Sequence, residues 1–243
     1  MRSMARGPNA DADLMNDQNH LAEMKIQLDA SHPGHILPPA MLATDMVVEI
    51  GCGAGQTLIA AYNNRVTFGL DVDPGALRLG RSLTQNVRFV CGRAEALPYR
   101  DEQFDLVLAR ASMPYFNIRA SLREMRRVLR PGGTVWMTLH PVAICWTAAK
   151  IGNYKGKMFF AYICLNSVLF HLCQRQFPLL GRYESFQTER GITRALRRVG
   201  FVDISVTRGA HFLVTAKAPE RRFPNASSGD DRNLSRDQPG VTA

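Results

Sequence analysis

Short apolar segments alternate with helix-like segments along the middle of the chain, and this alternation restricts the fold more than any other feature. Apolar residues fill each short segment almost continuously, as in strands that are buried on both faces of a parallel sheet. The segments between them carry apolar residues at helical spacing. Regular succession of strand and helix predicts a doubly wound α/β fold with right-handed crossovers. The predicted strands are Met46–Ile50, Val66–Leu70, Val87–Cys91, Leu106–Ala109 and Gly133–Leu139, and the predicted helices are Gln56–Asn63, Gly75–Thr84 and Ser121–Leu129.

The two ends of the chain differ from this middle part. Phe201–Thr207 and Ala210–Ala216 are joined through Arg208-Gly209 and predict an antiparallel hairpin, which completes a mostly parallel, Rossmann-like sheet of seven strands. Residues 1–18 are polar and small and are expected to be flexible. The tail 218–243 has few large apolar residues and is expected to be disordered, so that the folded domain is expected to span 19–217.

The composition favours one large domain with reduced thiols. Hydrophobic residues make up 46% of the 243 residues, enough for a substantial core. The five cysteines are odd in number and include no Cys-x-x-Cys pair, so neither a disulfide framework nor a metal site is expected. The first twenty residues lack a basic segment followed by an apolar run, so we predict no secretory signal and expect a cytoplasmic protein.

The net charge of +9 raises the question of nucleic-acid binding. Arg123, Arg126 and Arg130 recur at helical spacing opposite apolar residues, which is typical of the solvated face of an amphipathic helix. No aromatic residues are interleaved with the arginines to stack on bases. The pattern therefore favours a solvent-exposed helix face, and nucleic acid is not an expected partner.

A glycine-rich turn follows the first predicted strand. The sequence Gly51-x-Gly53-x-Gly55 leads directly into a helix, and glycines at such a turn allow unusual dihedral angles and close approach of a ligand to the backbone. A dinucleotide site would favour Gly-x-Gly-x-x-Gly, whereas position 56 here is Gln. Glu49 just before the turn would be a poor neighbour for a pyrophosphate and would suit a ligand with cationic groups.

Asp71 ends the second predicted strand, 20 residues after Gly51. An acidic side chain at this place can accept hydrogen bonds from both ribose hydroxyls of an adenosine. The alternative role is that of a turn former or helix N-cap, which Asp73-Pro74 could also supply. The glycine turn and Asp71 together predict an adenosine-containing ligand without a pyrophosphate.

Five ordered motifs resemble those of class I S-adenosylmethionine-dependent methyltransferases, over about residues 35–140. The resemblance is strongest to the small-molecule group that includes quinone-biosynthesis methyltransferases. It implies a Rossmann-like fold, S-adenosylmethionine as the cofactor and a small-molecule acceptor. The motifs are Val47–Gly55, Phe68–Pro74, Gly92–Tyr99, Gln103–Val107 and Leu122–Gly133.

The resemblance also implies roles for individual residues around the methionine part of the cofactor. The turn after the first strand would lie against the methionine and ribose, and the end of the fourth strand would border the methionine. These residues are Glu49, Gly51, Cys52, Gly53, Gly55, Ala109 and Arg110.

On the adenosine side, the resemblance implies that Asp71 holds the ribose hydroxyls and Val72 packs on adenine, while the Ala94 backbone meets the adenine edge. Many relatives have Asp at the position of Arg93, where it accepts from the adenine amino group. Arginine has no acceptor atom. Either Glu95 substitutes for that acceptor, or the contact is absent.

Two residues are candidates for removing a proton from an acceptor, a step that an OH or NH acceptor needs. His140 follows the fifth predicted strand, at the edge where doubly wound folds bind ligands, and Tyr115 follows the fourth strand. A histidine bonded to the backbone and an aromatic residue packed on a neighbouring helix are the respective alternatives.

The segment 141–190 is inserted between the fifth strand and the hairpin, and its most apolar part is Met158–Cys173. It is short for a membrane span and too apolar all round for an ordinary surface helix. We favour a helical lid over a hydrophobic or aromatic acceptor. An interfacial membrane helix with basic flanks and an oligomer contact are the alternatives. For the whole chain, a non-catalytic binding protein on the same fold and a nicotinamide oxidoreductase are alternatives to methyl transfer.

Overall fold

The computed structural model describes residues 8–139, 154–179 and 183–221. A seven-stranded sheet runs through it in the order β3-β2-β1-β4-β5-β7-β6. Strands β1 to β5 are parallel, and β7 is antiparallel to both of its neighbours. The strands are β1 (Val47–Ile50), β2 (Thr67–Asp71), β3 (Val87–Cys91), β4 (Phe104–Arg110), β5 (Leu129–Leu139), β6 (Val202–Arg208) and β7 (Phe212–Lys217). The helices are α1 (Pro8–Leu28), α2 (Gln56–Tyr62), α3 (Pro74–Leu83), a 3-10 turn (Met113–Tyr115), α4 (Ile118–Val128), α5 (Tyr154–Cys173) and α6 (Glu189–Arg198).

The central strands are buried on both faces, which explains their continuous apolar sequence. All four residues of β1 are buried. Val48 and Ile50 belong to one core cluster and Val47 to the other, because successive side chains of a strand point to opposite faces. Glu49 therefore points to the same side of the sheet as Val47, the side on which Leu58 of α2 packs. The sequence thus places a carboxyl group inside the protein, at the carboxyl end of the central strand.

The predicted fold class is confirmed, with seven strands, mostly parallel, and the C-terminal hairpin. Some observed element boundaries differ by a few residues from the predicted ones. Helix α4 begins at Ile118 rather than Ser121, because the Asn117 side chain accepts a hydrogen bond from the Ala120 backbone N–H and caps the helix there. Strand β5 begins at Leu129 rather than Gly133, and its pairing with β4 is irregular between Phe104 and Leu106.

Helix α1 includes residues 8–18, most of the segment that we expected to be flexible, and the flexibility of this segment stays a prediction. Helix α1 lacks a broad apolar stripe, which is the signal that a sequence gives for a packed helix. It is held instead by polar side chains, among them Asn16, whose amide donates to the Asp73 carboxylate over 2.8 Å. Residues 1–7 lie outside the described part.

The inserted segment contains α5 and ends where α6 begins at Glu189. Residues 140–153 and 180–182 lie outside the described residues. At the other end, strand-like pairing continues past β7, because the Ala218 N–H donates to the Gly133 carbonyl over 2.8 Å and Ala218 is 1% exposed. The expected tail 218–243 therefore begins with paired residues, and 222–243 lie outside the described part.

Candidate active site

A cleft of about 560 Å³ opens at the carboxyl ends of β1, β2 and β4. Doubly wound folds bind ligands at this edge, where the strand order reverses on either side of β1. The turn after β1 forms its floor, and β2, the segment after β3 and the 3-10 turn after β4 form its sides. Helix α1 contributes His20 and Glu23. Among the described residues that line the cleft, none belongs to α5, so the prediction of a lid is not confirmed for this helix.

The turn after β1 presents bare backbone to the cleft. Gly51 and Gly53 have φ values of 74° and 54°, a region that side chains other than glycine rarely adopt. A Cβ on Gly51 would lie 2.4 Å from the Ser112 Cβ, and one on Gly53 would lie 2.9 Å from the His20 Cε1. Both positions therefore require glycine, for the dihedral angle and for the space above it.

Asp71 ends β2 at the side of the cleft, and backbone N–H groups hold its carboxylate in place. Its Oδ2 accepts from the Gly53 N–H over 2.8 Å, and its Oδ1 accepts from the Asp73 N–H over 2.9 Å. Each carboxylate oxygen retains further lone pairs. The orientation of Asp71 is thus fixed by the protein, and the group can still accept hydrogen bonds from two hydroxyls of a ligand.

The adenosine side of the predicted site contains Val72 and Ala94, which both line the cleft. Val72 is an apolar side chain that is 62% exposed, and a planar ring bound in the cleft could cover it. Glu95 is directed elsewhere, because its Oε1 accepts from the Asn117 N–H over 2.9 Å and its Oε2 lies 3.4 Å from the Arg93 Nε. Glu95 is not among the lining residues, so the geometry does not favour it as the substitute acceptor for adenine.

Glu49 is a nearly buried carboxyl group, 2% exposed, that lines the cleft. Its Oε2 has no hydrogen-bond partner among the described residues. Burial raises the pKa of Glu49 to about 7, while Arg110 and Thr57 act in the opposite direction. A buried acceptor without a partner is unfavourable by itself, so this geometry fits a ligand that brings a cationic or donor group to that oxygen.

Ala109 and Arg110 end β4 but differ in position. Ala109 is fully buried in the sheet and does not line the cleft. Arg110 lines it, and its Nε donates to the Thr57 hydroxyl over 2.9 Å while its Nη2 forms an ion pair with Glu23 at 3.0 Å. Arg110 is therefore already paired, and it joins α1 to the floor of the cleft.

Cys52 and Gly55 complete the turn. Cys52 is 3% exposed and lines the cleft, and burial raises the pKa of its thiol well above the usual range, so it remains a neutral packing group. Gly55, with a φ of 81°, stands at the start of α2, and its N–H donates to the Cys52 carbonyl over 2.8 Å. Gly55 lies behind the lining residues and shapes the turn rather than facing the cleft.

Of the two candidate catalytic residues, Tyr115 lies among the described residues and His140 does not. Tyr115 is in the 3-10 turn, lines the cleft and is 58% exposed. Partial burial, with Glu184 nearby, raises the pKa of the Tyr115 hydroxyl, so that it stays a neutral phenol near pH 7. His140 follows Leu139, the last residue of β5, but lies outside the described residues, so its role stays a prediction.

The sequence reasoning missed the contribution of α1. His20 Nδ1 lies 2.8 Å from the Gln56 Nε2, and Glu23 pairs with Arg110. Together with Asn16, these residues stand at positions i, i+4 and i+7 of one helix and therefore share a face. A polar stripe at this spacing was the signal that could have revealed an inward-facing helix.

The described residues fit S-adenosylmethionine, the cofactor that the motifs imply. Gly51 and Gly53 bring the turn to the wall of the cleft, and Asp71 offers two acceptors for ribose hydroxyls. Glu49 offers a buried oxygen without a partner, which suits the ammonium group of a methionine moiety.

Fold and cleft together define a Rossmann-like protein with an open cleft at the carboxyl edge of its sheet. Residues 48–137 match the family described as "Methyltransferase domain". The uncharacterized methyltransferase YcgJ of Bacillus subtilis is 33% identical over 105 residues, which cover 40% of this chain and 42% of the relative. The phthiotriol/phenolphthiotriol dimycocerosates methyltransferase of Mycobacterium tuberculosis is 40% identical over 100 residues, which cover 38% of this chain and 36% of the relative. The chain thus spans less than half the length of these relatives.

Solved structures agree in fold. A chain from the complex between the Haloferax volcanii Trm112 methyltransferase activator and a methyltransferase has a TM-score of 0.60 at 18% identity, covering 87% of this chain and 97% of its own length. The structure of Bacillus subtilis YcgJ has a TM-score of 0.53 at 14% identity, covering 83% and 100% respectively. At this identity the likeness concerns the fold alone. Residues 48–137 are thus similar to a methyltransferase domain, and the described fold is that of solved S-adenosylmethionine-dependent methyltransferases. The finer resemblance to the quinone-biosynthesis group stays a prediction.

Proposed function

We propose that this protein transfers a methyl group from S-adenosylmethionine to a small, apolar or aromatic acceptor through an O, N or C atom. The observation that carries the proposal is the pairing of two carboxyl groups in one cleft. Glu49 has a buried oxygen without a partner among the described residues, and Asp71 is held by backbone N–H groups on the other side of the glycine turn. Both groups line the same cleft, as the ammonium group and the ribose hydroxyls of one bound cofactor would require.

The cofactor would supply a methyl group that its sulfonium already activates for in-line displacement. The residues of this chain would then bind and orient the cofactor and exclude water from it. Asp71 would bind the ribose hydroxyls and Glu49 the ammonium group, while Gly51 and Gly53 allow the tight turn that brings these two groups to one cleft. Fixing the cofactor in one orientation is the largest contribution that such a site can make, because the nucleophile must lie on the S–CH₃ axis.

The acceptor would enter from the side of the cleft formed after β4. Tyr115 and Phe116 line this side and offer aromatic surface, which favours an apolar or aromatic acceptor. The Mycobacterium tuberculosis relative, named for action on phthiotriol and phenolphthiotriol dimycocerosates, is consistent with a lipophilic acceptor. Tyr115 is a poor base near pH 7, because its pKa is raised. We therefore assign any proton removal to His140 in preference to Tyr115.

A non-catalytic or differently catalytic protein on the same fold is the second candidate. Arg93 cannot accept from the adenine amino group, and Glu95 is turned away from the cleft. A structure titled as the [4+2]-cyclase SpnF has a TM-score of 0.50 and covers 86% of this chain, so the fold also occurs in a protein named for another reaction. A nicotinamide oxidoreductase is less favoured, because of the glycine spacing and Gln56.

Calorimetric titration with S-adenosylhomocysteine and with NADH tests the cofactor assignment. We expect binding of the first only, and the Asp71→Ala variant should bind at least about tenfold more weakly, since two hydrogen bonds to a charged group are lost. Glu95→Gln is the control and should bind like the wild type, because its side chain faces Asn117 rather than the cleft. Wild-type affinity in Asp71→Ala would contradict the ribose assignment.

Turnover of methyl-labelled S-adenosylmethionine with fractionated lipids and phenolics tests the reaction. A labelled apolar product, absent with Asp71→Ala, is the expected result. Tight cofactor binding without any labelled product would favour the non-catalytic candidate instead.

A further inference from the structure

Helix α5 turns its apolar side chains away from the protein. Met158, Leu165 and Leu172 are 58%, 58% and 65% exposed, and Val168 is 53% exposed. The first three are seven residues apart and Val168 lies between the last two, so all four share one face along most of the helix. We call these four residues the outer face of α5. Phe177, just after the helix, adds another apolar side chain that is 59% exposed.

The opposite side of α5 is anchored to the domain by polar as well as apolar contacts. Asn166 is 1% exposed, and its amide donates to the Phe177 and Glu184 carbonyls over 2.9 and 3.1 Å. Its Oδ1 accepts from the Phe177 N–H over 2.8 Å. Phe170, also 1% exposed, belongs to the main core cluster. These contacts fix which side of the helix faces out.

The anchoring argues against a membrane-spanning role, although Gly156–Cys173 is long and apolar enough to cross a membrane by length and composition. A helix that crossed the bilayer would have to leave the domain, which would expose Phe170 and leave the three hydrogen-bonding groups of Asn166 without partners in hydrocarbon. A helix that lies flat at the surface of a bilayer keeps all of these contacts and buries only its outer face.

Cationic side chains border the outer face. Lys157 and Arg175 are exposed at the two ends of α5. Arg194 of α6 donates to the His171 and Leu172 carbonyls over 3.1 Å, which brings α6 against the C-terminal end of α5. The sequence has no Asp or Glu between Glu124 and Glu184, although α6 begins with the exposed Glu189. The further exposed arginines of α6 are Arg190, Arg197 and Arg198.

We propose that the outer face of α5 and its basic border dock this protein on an anionic lipid bilayer, with the helix axis in the plane of the membrane. An apolar strip bordered by cations matches the two layers of such a surface, acyl chains below and negative headgroups above. A second copy of the chain fits less well, because self-pairing would bring Lys157 and Arg175 near their counterparts and α5 carries no acidic side chain to compensate. This inference does not depend on methyl transfer.

Co-sedimentation with lipid vesicles tests the proposal. We expect the wild type to bind vesicles that contain roughly 30% phosphatidylglycerol in phosphatidylcholine, more weakly at ~0.5 M salt, and not to bind pure phosphatidylcholine. The double variant Leu165→Glu with Val168→Glu should lose at least about tenfold in partitioning, because two charges would enter the apolar layer. Arg197→Gln with Arg198→Gln should also lose about tenfold, since each cation near the surface contributes to binding.

Leu42→Glu is the matched control, because Leu42 is 73% exposed in the segment before β1 and lies outside the proposed surface. It should partition like the wild type. An unchanged far-UV circular dichroism spectrum and an unchanged melting temperature of every variant verify that the domain is folded. Absence of wild-type binding to the anionic vesicles would overturn the proposal, as would unchanged partitioning of the Leu165→Glu, Val168→Glu variant. If the wild type forms a dimer and does not bind vesicles, and the Leu165→Glu, Val168→Glu variant is a monomer, the surface would be assigned to contact with a second copy.

Discussion

The carboxyl group of Glu49 gives the cofactor assignment a test that depends on protons. Its pKa is about 7, raised by burial, in the protein without ligand. A cationic ammonium group next to the free Oε2 would favour the ionised form and lower that pKa. The ligand would then bind only the ionised protein, so binding would release a proton below pH 7 and affinity would rise with pH. Replacement of Glu49 by Gln keeps the shape and removes the titration.

The size of the effect follows from the pKa alone. For a pKa of about 7, the apparent affinity falls by roughly 20-fold between pH 7.5 and pH 5.5, or about 2 kcal/mol. At pH 6.5 about three quarters of the unliganded molecules carry the proton, so each binding event releases about three quarters of a proton. These values are large enough to separate Glu49 from weak surface effects, which change affinity by much less.

Titration calorimetry with S-adenosylhomocysteine at pH 6.5 measures the released proton directly. The apparent binding enthalpy should differ between phosphate and imidazole buffers by the released fraction times the difference in their ionisation enthalpies. In Glu49→Gln this difference should vanish and the affinity should become nearly independent of pH. His20→Asn is the control for the imidazole ring that lines the same cleft. Equal enthalpies in the two buffers for the wild type would refute the placement of a cation at Glu49.

Three predictions concern the free energy of unfolding at Glu49, Gly55 and Asn166, each measured by urea unfolding of the unliganded protein. Burial raises the pKa of Glu49 in the folded protein from 4.5 to about 7, so its unfavourable contribution to stability grows as pH rises through this range. Glu49→Gln should therefore be more stable than the wild type at pH 8 by about 1–3 kcal/mol, and equal stability would contradict the raised pKa. Gly55→Ala should cost about 1–3 kcal/mol, because φ is 81° and the new Cβ would lie 2.9 Å from the Phe89 ring; a neutral effect would contradict the turn geometry. Asn166→Ala should lower the free energy of unfolding by about 2–4 kcal/mol, because it leaves buried backbone groups without hydrogen-bond partners. Leu165→Ala, at the exposed neighbouring position, should change it by less than about 0.5 kcal/mol. A larger loss for Leu165→Ala than for Asn166→Ala would mean that α5 faces the other way.

Predictions from sequence succeeded where burial on both faces left a continuous signal. Val87–Cys91 was predicted with its observed bounds, because turn signals flank a short apolar run. The glycine turn and Asp71 were placed correctly beside each other, since a parallel sheet brings the ends of neighbouring strands to one edge. Such features can be predicted, because the strand pattern is local in sequence and the right-handed crossover rule then fixes which strand ends share an edge.

Predictions were weaker where long-range hydrogen bonds decide the outcome. Glu95 lies in the predicted motif, yet the distant N–H of Asn117 and the nearby Arg93 fix its side chain away from the cleft. The orientation of α5 was open for a related reason, because a helix that is apolar all round has no stripe to indicate its inner side. Buried Asn166 marks that side by its hydrogen bonds, and its partners Phe177 and Glu184 come from the segment after the helix.

The way in which α1 is attached has a consequence for the rate at which ligands enter and leave the cleft. Hydrogen bonds and one ion pair from Asn16, His20 and Glu23 hold the helix against the cleft, and water can replace each of them with little loss of free energy. Local opening of this helix therefore needs no disruption of the sheet. We expect detachment of α1 to open the cleft, so that the rate at which S-adenosylhomocysteine dissociates should follow the rate at which this helix opens.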